Sequence, residues 1–129
     1  MQNECVLDAS AVLAVLLAEP GADKVTGRLE DACLCTVNAA EVGDKLSRIG
    51  ERIDIEQALK ELEVEIIPTD FSLALDAAAL FMPTRIAGLS LGDRFCLALA
   101  KRLGRPAITS DRHWMDIADA VGVRVELIR

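Results

Sequence analysis

Short apolar runs alternate with helical patterns along almost the whole chain, and this alternation restricts the possible folds more than any other feature. The predicted strands are Glu4 to Leu7, Ala32 to Thr36, Val64 to Pro68, Pro106 to Thr109 and Val123 to Leu127. Strands that are joined through helices need crossover connections, which are typical of parallel sheets. The sequence therefore predicts an α/β fold with a mainly parallel sheet and helices on both faces.

Apolar residues at three- and four-residue spacing mark the predicted helices between the later strands. They are Val42, Leu46 and Ile49; Ile55, Leu59 and Leu62; Phe71, Leu75 and Met82; and Leu91, Phe95, Leu99 and Leu103. A further helix follows the first strand, and its segment from Ala11 to Leu17 is apolar on every side. We expect this helix to be buried all round or to meet another chain.

The length and the composition are typical of one folded domain. Of 129 residues, 52% are hydrophobic, so we predict a single domain over residues 1–129. The apolar run from Ala9 to Ala18 is about half of the roughly 20 residues that a membrane helix needs, and no basic segment precedes it as in a signal peptide. We therefore expect a soluble, cytoplasmic protein without membrane association.

Four cysteines lie within apolar segments and are predicted to be small core residues. They are Cys5, Cys33, Cys35 and Cys96. A zinc site is not favoured, because Cys33 and Cys35 lack the gap that is usual for zinc ligands and the one histidine, His113, is distant in sequence.

The charge balance gives mixed indications about a nucleic-acid partner. A net charge of −7 argues against one, since phosphate binding normally uses Lys and Arg. If four carboxylates surround a divalent cation, however, −7 plus 4 leaves −3 for the rest of the chain. The stretch from Arg85 to Arg112 is also locally basic. With 3% aromatic residues and no Tyr, base stacking is not expected to be the main mode of recognition.

Four acidic residues follow predicted strands or begin predicted helices. Asp8 directly follows the first strand, and Asp111 follows "PAIT" at the end of the fourth. Glu41 is expected in the first turn of the helix that "NAAEVGDKL" opens, and Asp93 in the first turn of "LSLGDRFCLALAKRLG". Ligands of parallel α/β sheets bind outside the carboxyl ends of the strands. If these elements are neighbours, their carboxylates converge on one edge.

Helix capping is an alternative role for these acids. Asn38 and Glu41 have the spacing of a capping box, and so do Ser90 and Asp93. Asp111, or Ser110 before it, could cap the short helix that contains Trp114. Taken together, however, the four positions fit a metal site better than separate caps. Ligands that are all oxygen favour Mg²⁺ or Mn²⁺, and such ions support phosphodiester hydrolysis.

The sequence resembles PIN-domain ribonucleases, and most closely the VapC-type toxins of bacterial and archaeal toxin-antitoxin pairs. The similarity runs through "VLDASAVLA", "NAAEV", "LSLGDRFCLALA" and "AITSDRHW" and ends with "GVRVELIR", so it covers essentially the whole length. The resemblance implies a PIN-like (flavodoxin-like) parallel sheet and a metal-dependent endoribonuclease that uses Mg²⁺ or Mn²⁺.

The resemblance also implies roles for single residues. The positions that match the four acidic positions of the family are Asp8, Glu41, Asp93 and Asp111. Asp8 and Asp93 are expected to be the main direct metal ligands, and the other two acids to complete the pocket. Ser10 and Thr109 match small hydroxyl positions that support the pocket, although cap and turn roles fit them about equally.

The family further implies an RNA substrate, a cognate antitoxin protein and a homodimer. The alternative from another class is a catalytically silent PIN-like binding module that acts through RNA or protein partners. Two other enzyme and signalling classes fit less well. "DAS" lacks the second acid of the D-x-D pattern in phosphoaspartyl phosphatases, and "PAIT" is followed by no lysine, as a receiver domain would require.

Overall fold

The computed structural model describes residues 3–129, and in it five short strands alternate with helices. The strands are β1 (Cys5–Leu7), β2 (Ala32–Cys35), β3 (Glu65–Ile67), β4 (Ala107–Thr109) and β5 (Val125–Leu127). The helices are α1 (Ala9–Leu16), α2 (Ala22–Thr26), α3 (Thr36–Arg48), α4 (Ile55–Leu62), α5 (Phe71–Ala79), α6 (Phe81–Thr84), α7 (Leu91–Leu103) and α8 (Ala118–Val121). Short 3-10 helices span Leu29–Asp31, Arg85–Ala87 and Arg112–Asp116. Each strand lies within its predicted range.

The strands form one sheet in the order β3-β2-β1-β4-β5, and all neighbouring pairs are parallel, as predicted. The chain first moves outward from β1 to β2 and β3, and then crosses to the other side for β4 and β5. The order therefore reverses between β1 and β4, where Leu7 is paired with Ile108. Ligands of α/β sheets bind at such a reversal, outside the carboxyl ends of the strands.

Successive strand residues face two different cores, one on each side of the sheet. Val6 and Cys33 face the core that α5, α7 and α8 cover. Leu7 and Leu34 face the core that α1, α3 and α4 cover. Helices on both faces are thus confirmed. The four cysteines are all buried with free thiols, so their predicted role as core residues is confirmed.

The predicted apolar set of the helix after β3 lies on its exposed side. Phe71 and Leu75 are 78% and 55% exposed, whereas Leu73 and Ala77 are fully buried against α7 and the sheet. Met82 lies beyond the end of α5, within α6, and is 58% exposed. Because α5 carries apolar residues on most of its circumference, spacing alone did not identify its buried side.

The apolar first helix is buried on one side and partly exposed on the other. The fully buried residues of α1 are Ala11, Val12 and Ala14. Leu13, Val15 and Leu16 are partly buried and pack against the same core. Across residues 3–129, none of the exposed large apolar side chains lies on this helix. In the same residues no helix is long and apolar enough to span a membrane.

Candidate functional site

Asp8 is a buried aspartate between the end of β1 and the start of α1. It is the N-cap of α1, and its Oδ1 accepts hydrogen bonds from the Ala11 backbone N–H at 2.9 Å and the Ser10 hydroxyl at 2.7 Å. Its Oδ2 accepts the Thr109 hydroxyl at 2.5 Å. Burial raises the pKa of Asp8 to about 6, although these three hydrogen bonds favour the ionised form. Asp8 is therefore both the N-cap of α1 and a member of the acidic site.

Two hydroxyl groups join the end of β1 to the end of β4. The Ser10 hydroxyl oxygen accepts the Ser110 backbone N–H at 3.0 Å, and the Thr109 hydroxyl oxygen accepts the Asp111 backbone N–H at 3.1 Å. Both hydroxyls also donate to Asp8. Ser10 and Thr109 were expected to support the pocket. They do so through hydrogen bonds that connect Asp8 to the segment from Thr109 to Asp111.

Asp93 lies in the first turn of α7 and forms the predicted capping box with Ser90. Its Oδ2 accepts the Ser90 backbone N–H at 2.9 Å, and the Ser90 hydroxyl oxygen accepts the Asp93 backbone N–H at 3.1 Å. Partial burial raises the pKa of Asp93 despite these bonds, and the charge of Asp111 raises it further. The hydrogen bonds of the capping box therefore do not fully offset the free energy that burial and the neighbouring charge of Asp111 add to the ionised form of Asp93.

Glu41 lies in the second turn of α3, so the prediction that placed it in the first turn is wrong. β2 passes into α3 without a loop, because Cys35 is the N-cap and Thr36 is already helical. Asn38 is thus inside the helix, and the predicted capping box with Glu41 does not form. Instead the Asn38 side-chain amide donates to Glu41 Oε1 at 2.8 Å and to the Gly92 carbonyl oxygen at 3.0 Å.

Gly92 is a site residue that the sequence interpretation missed. A Cβ atom at this position would overlap the Glu41 carboxyl group, so the carboxyl group lies directly against the start of α7. The residue stands immediately before Asp93. A glycine in the first turn of a helix, next to an acid, was the signal that could have identified it.

Asp111 caps the 3-10 helix that follows β4, as the capping alternative predicted. It accepts the His113 backbone N–H at 2.9 Å, and the His113 ring Nδ1 lies 3.1 Å from the same oxygen. His113 itself is exposed on the surface. Asp111 is thus held at the carboxyl end of β4, beside the segment that supports Asp8.

The four acids influence one another electrostatically, with Asp93 at the centre. The charge of Asp93 raises the pKa of both Asp8 and Glu41, and burial is the larger cause in each case. Asp111 acts in the same way on Asp93. The structure therefore brings together elements that lie far apart in sequence at the edge where the strand order reverses.

The oxygen donors of this cluster suit a hard cation. Within residues 3–129, no three carboxylate, imidazole or thiol groups lie close enough together to hold one ion in common. Mg²⁺ commonly takes only one or two carboxylates directly and keeps several waters. Carboxylates that raise one another's pKa also gain from a nearby dication, because the dication favours their ionised forms. The residues present thus fit Mg²⁺ or Mn²⁺ with few direct ligands.

Sequence comparison assigns the family. The family model described as the PIN domain matches residues 5–120 of this chain. The chain belongs to the PIN-domain family. The matched region of this PIN domain contains all four acids, and also Asn38 and Gly92. No curated protein matches the sequence closely enough to count as a relative.

Several solved structures share the fold of this PIN domain over nearly its whole length. A chain of VapBC2 from Rickettsia felis, bound to a promoter DNA fragment, has a TM-score of 0.73 and 12% identity, covering 95% of this chain and 97% of that one. DNA-bound VapBC from Salmonella typhimurium has a TM-score of 0.71 and 15% identity, covering 100% of each chain. FitAcB from Neisseria gonorrhoeae has a TM-score of 0.64 and 23% identity, covering 96% and 97%. At these identities the similarity shows the fold.

Proposed function

We propose that this PIN-domain chain is a metal-dependent endoribonuclease and the toxin of a VapC-like toxin-antitoxin pair. The observation that carries the proposal is the cluster of four carboxylates at the reversal of strand order, three of which have raised pKa values. Helix capping does not require carboxylates that raise one another's pKa, whereas a nearby dication would favour their ionised forms and offset the repulsion. The family match supports a nuclease of this type.

In this proposal Asp8 and Asp93 are the main direct metal ligands, and Glu41 and Asp111 complete the pocket. Bound Mg²⁺ or Mn²⁺ would activate water and stabilise the charge that develops on the phosphodiester. Asp8 is held in one orientation by its three hydrogen bonds, so little conformational entropy remains to be lost on binding. Burial excludes bulk water from Asp8, which strengthens its electrostatic interactions.

Two arginines directly follow acids of the site in the sequence, and the charge of one of them, Arg94, acts on Asp93. Arg94 follows Asp93 directly, and Arg112 follows Asp111. The Arg94 guanidinium lies over the Phe81 ring, 5.1 Å from its centre. By contrast, Arg102 is paired with two aspartates and is less available to a ligand. We propose that Arg94 and Arg112 contact RNA phosphates, which Arg binds well through its fork of donors.

The proposed partners are a cognate antitoxin and a second copy of the chain. Structures with this fold include VapBC and FitAcB, and one is described as a member of the VapBC family of toxin-antitoxin systems from Mycobacterium tuberculosis. For this chain we propose an antitoxin segment with at least one arginine that reaches Asp8 or Asp93. The negative pocket would favour its approach, and the arginine would compete with the metal.

The activity is tested with purified protein that has been separated from any antitoxin. We expect cleavage of structured RNA in Mg²⁺ or Mn²⁺, and no cleavage in EDTA. Cleavage that continues after complete removal of metal would contradict the mechanism. Binding of RNA without any cleavage, by protein shown to be folded, would support the catalytically silent alternative.

The charge of Asp93 is tested by Asp93→Asn. An asparagine oxygen can still accept the Ser90 backbone N–H, so the cap persists while the charge is lost. We expect RNA cleavage to fall by more than about a hundredfold, beyond the usual effect of changing an outer group around a metal. Without metal, the free energy of unfolding should stay equal or rise.

The matched control is Asp54→Asn, which changes an exposed N-cap aspartate of α4. It should leave cleavage unchanged. Normal cleavage by Asp93→Asn would remove this residue from the site.

A further inference from the structure

The side chain of Asn38 connects α3 to the first turn of α7. It is 0% exposed, and its amide nitrogen donates to both Glu41 Oε1 and the Gly92 carbonyl oxygen. Neither acceptor can donate a hydrogen bond when Glu41 is ionised, so only one orientation of the amide satisfies both. Its Oδ1 is then left buried, without a partner among the described residues. A buried oxygen without a partner lowers stability, which a residue with a purely structural role would avoid.

Gly92 provides the space that Glu41 occupies. A Cβ atom there would overlap the Glu41 carboxyl group, so any other residue would displace it. Alanine has a higher helix propensity than glycine, so the helix alone would favour alanine at this position. Because Gly92 has no side chain, the Glu41 carboxyl group has room to lie against the start of α7.

We propose that Asn38 and Gly92 are positioning residues that hold the Glu41 carboxylate against the start of α7, beside Asp93. Glu41 is only partly buried, and a glutamate side chain has several rotamers that would place its carboxylate in solvent. The two residues favour the rotamer that faces the cluster. This inference rests on the proposed function for its consequence in metal binding, while the positioning itself is independent of metal.

The first experiment compares Gly92→Ala with Gly43→Ala. Both change a helical glycine, but a Cβ at Gly43 would make only ordinary contacts, at 3.8 Å or more, with the Ile55 side chain. Gly43→Ala should be at least as stable as the wild type, because alanine favours the helix. Gly92→Ala should fold too, but with a smaller gain or a net loss of stability, because the displaced Glu41 loses its hydrogen bond from Asn38. In titrations followed by electron paramagnetic resonance, Gly92→Ala should bind Mn²⁺ ten- to a hundredfold more weakly, and Gly43→Ala should bind it normally.

The second experiment is a double-mutant cycle of Asn38→Leu and Glu41→Ala, measured as urea unfolding in EDTA. If Asn38 holds Glu41, the two changes in the unfolding midpoint are not additive, whereas additive changes would overturn the positioning role. In the Mn²⁺ titration, Asn38→Leu should weaken binding in the wild-type chain but cause no further loss once Glu41 is alanine.

The outcomes separate this inference from the proposed function. If the wild type binds no Mn²⁺ and cuts no RNA, the proposed function fails, and the EDTA cycle alone decides the positioning role. If the wild type binds Mn²⁺ and Gly92→Ala binds it equally well, the positioning role is wrong and the nuclease proposal stands.

Discussion

Burial affects the charge state of the site residues more than their hydrogen bonds do. Asp8 and Asp70 are both N-cap aspartates that accept a backbone N–H. The exposed Asp70 has a lowered pKa because Arg102 donates to it. Asp8 also accepts three hydrogen bonds, all from uncharged donors, and its pKa is raised to about 6 because it lies within the protein. The ionised form of Asp8 therefore lowers the free energy of unfolding of the metal-free chain.

This cost predicts a dependence of stability on pH. Folded Asp8 keeps its proton up to about pH 6, whereas in the unfolded chain it ionises near 3.8. Between these values the folded state binds more protons, so this contribution to stability falls as the pH rises. The difference of roughly two pH units corresponds to about 3 kcal/mol at 1.36 kcal/mol per unit. Asp8→Asn carries no charge and should avoid this loss.

We therefore expect Asp8→Asn, in EDTA, to gain stability relative to the wild type from pH 4 to pH 7, by up to about 3 kcal/mol. Urea unfolding at several pH values measures the difference. The exposed cap variant Asp54→Asn controls for the loss of an N-cap charge. A difference that stays constant with pH, or that shrinks as the pH rises, would contradict the buried charge at Asp8.

The sequence predicted the four acids but only part of their surroundings. Motif order identified Asp8, Glu41, Asp93 and Asp111, and the structure places their charges within reach of one another. The contact between Glu41 and Gly92 joins residues 51 positions apart in sequence, on two helices. Local spacing contains no information on such a contact, so Asn38 was interpreted as a cap.

At the scale of elements, strands were easier to predict than the orientation of helices. Each strand is short, apolar and bounded by turn or helix signals, so its position follows from local sequence. The helix after β3 is apolar on most sides, and its buried side depends on packing against α7. The start of α3 was displaced for a related reason, because the end of β2 and the start of α3 share Cys35.

The start of α2 depends on a backbone conformation that favours glycine. Gly21 has a φ of +94°, and a Cβ atom there would overlap the Ile128 backbone carbonyl group. Gly21→Ala should therefore lower the free energy of unfolding by more than the roughly 1–2 kcal/mol of a left-handed residue alone. Gly50 has a φ of +80° with no atom within 4 Å of such a Cβ, so Gly50→Ala is the matched control. Equal losses in thermal or urea unfolding would exclude a steric contribution at Gly21.

At the scale of the whole molecule, exposed apolar residues are concentrated in one part of the chain. Nine large apolar side chains are exposed in residues 3–129, and six of them lie between positions 71 and 91. These six are Phe71, Leu75, Phe81, Met82, Ile86 and Leu91. The sequence had directed attention to α1 instead, whose large apolar side chains are all buried or partly buried in the structure.

If the proposed homodimer uses the apolar segment 71–91, a charged residue introduced there should weaken the dimer. We expect the wild type to sediment as a dimer at tens of micromolar, roughly the range in which weak association is detected. Leu75→Glu, at a residue that is 55% exposed, should shift the protein toward monomer. Ile49→Glu changes a similarly exposed residue outside the segment, at 48%, and should not. A monomeric wild type would refute the homodimer, and equal behaviour of the two variants would exclude this segment from the contact.

The pairing of β1 with β4 also determines when during synthesis the site can form. Thr109 donates to Asp8 from 101 positions further along the chain, and Asp111 follows β4. A growing chain that has exposed β1 and α3 but neither α7 nor β4 has two of the four acids and none of the hydrogen bonds from β4. Because translation is directional, these contacts become available only after most of the chain has emerged. The complete acidic site therefore assembles late, only after β4 has emerged and paired with β1.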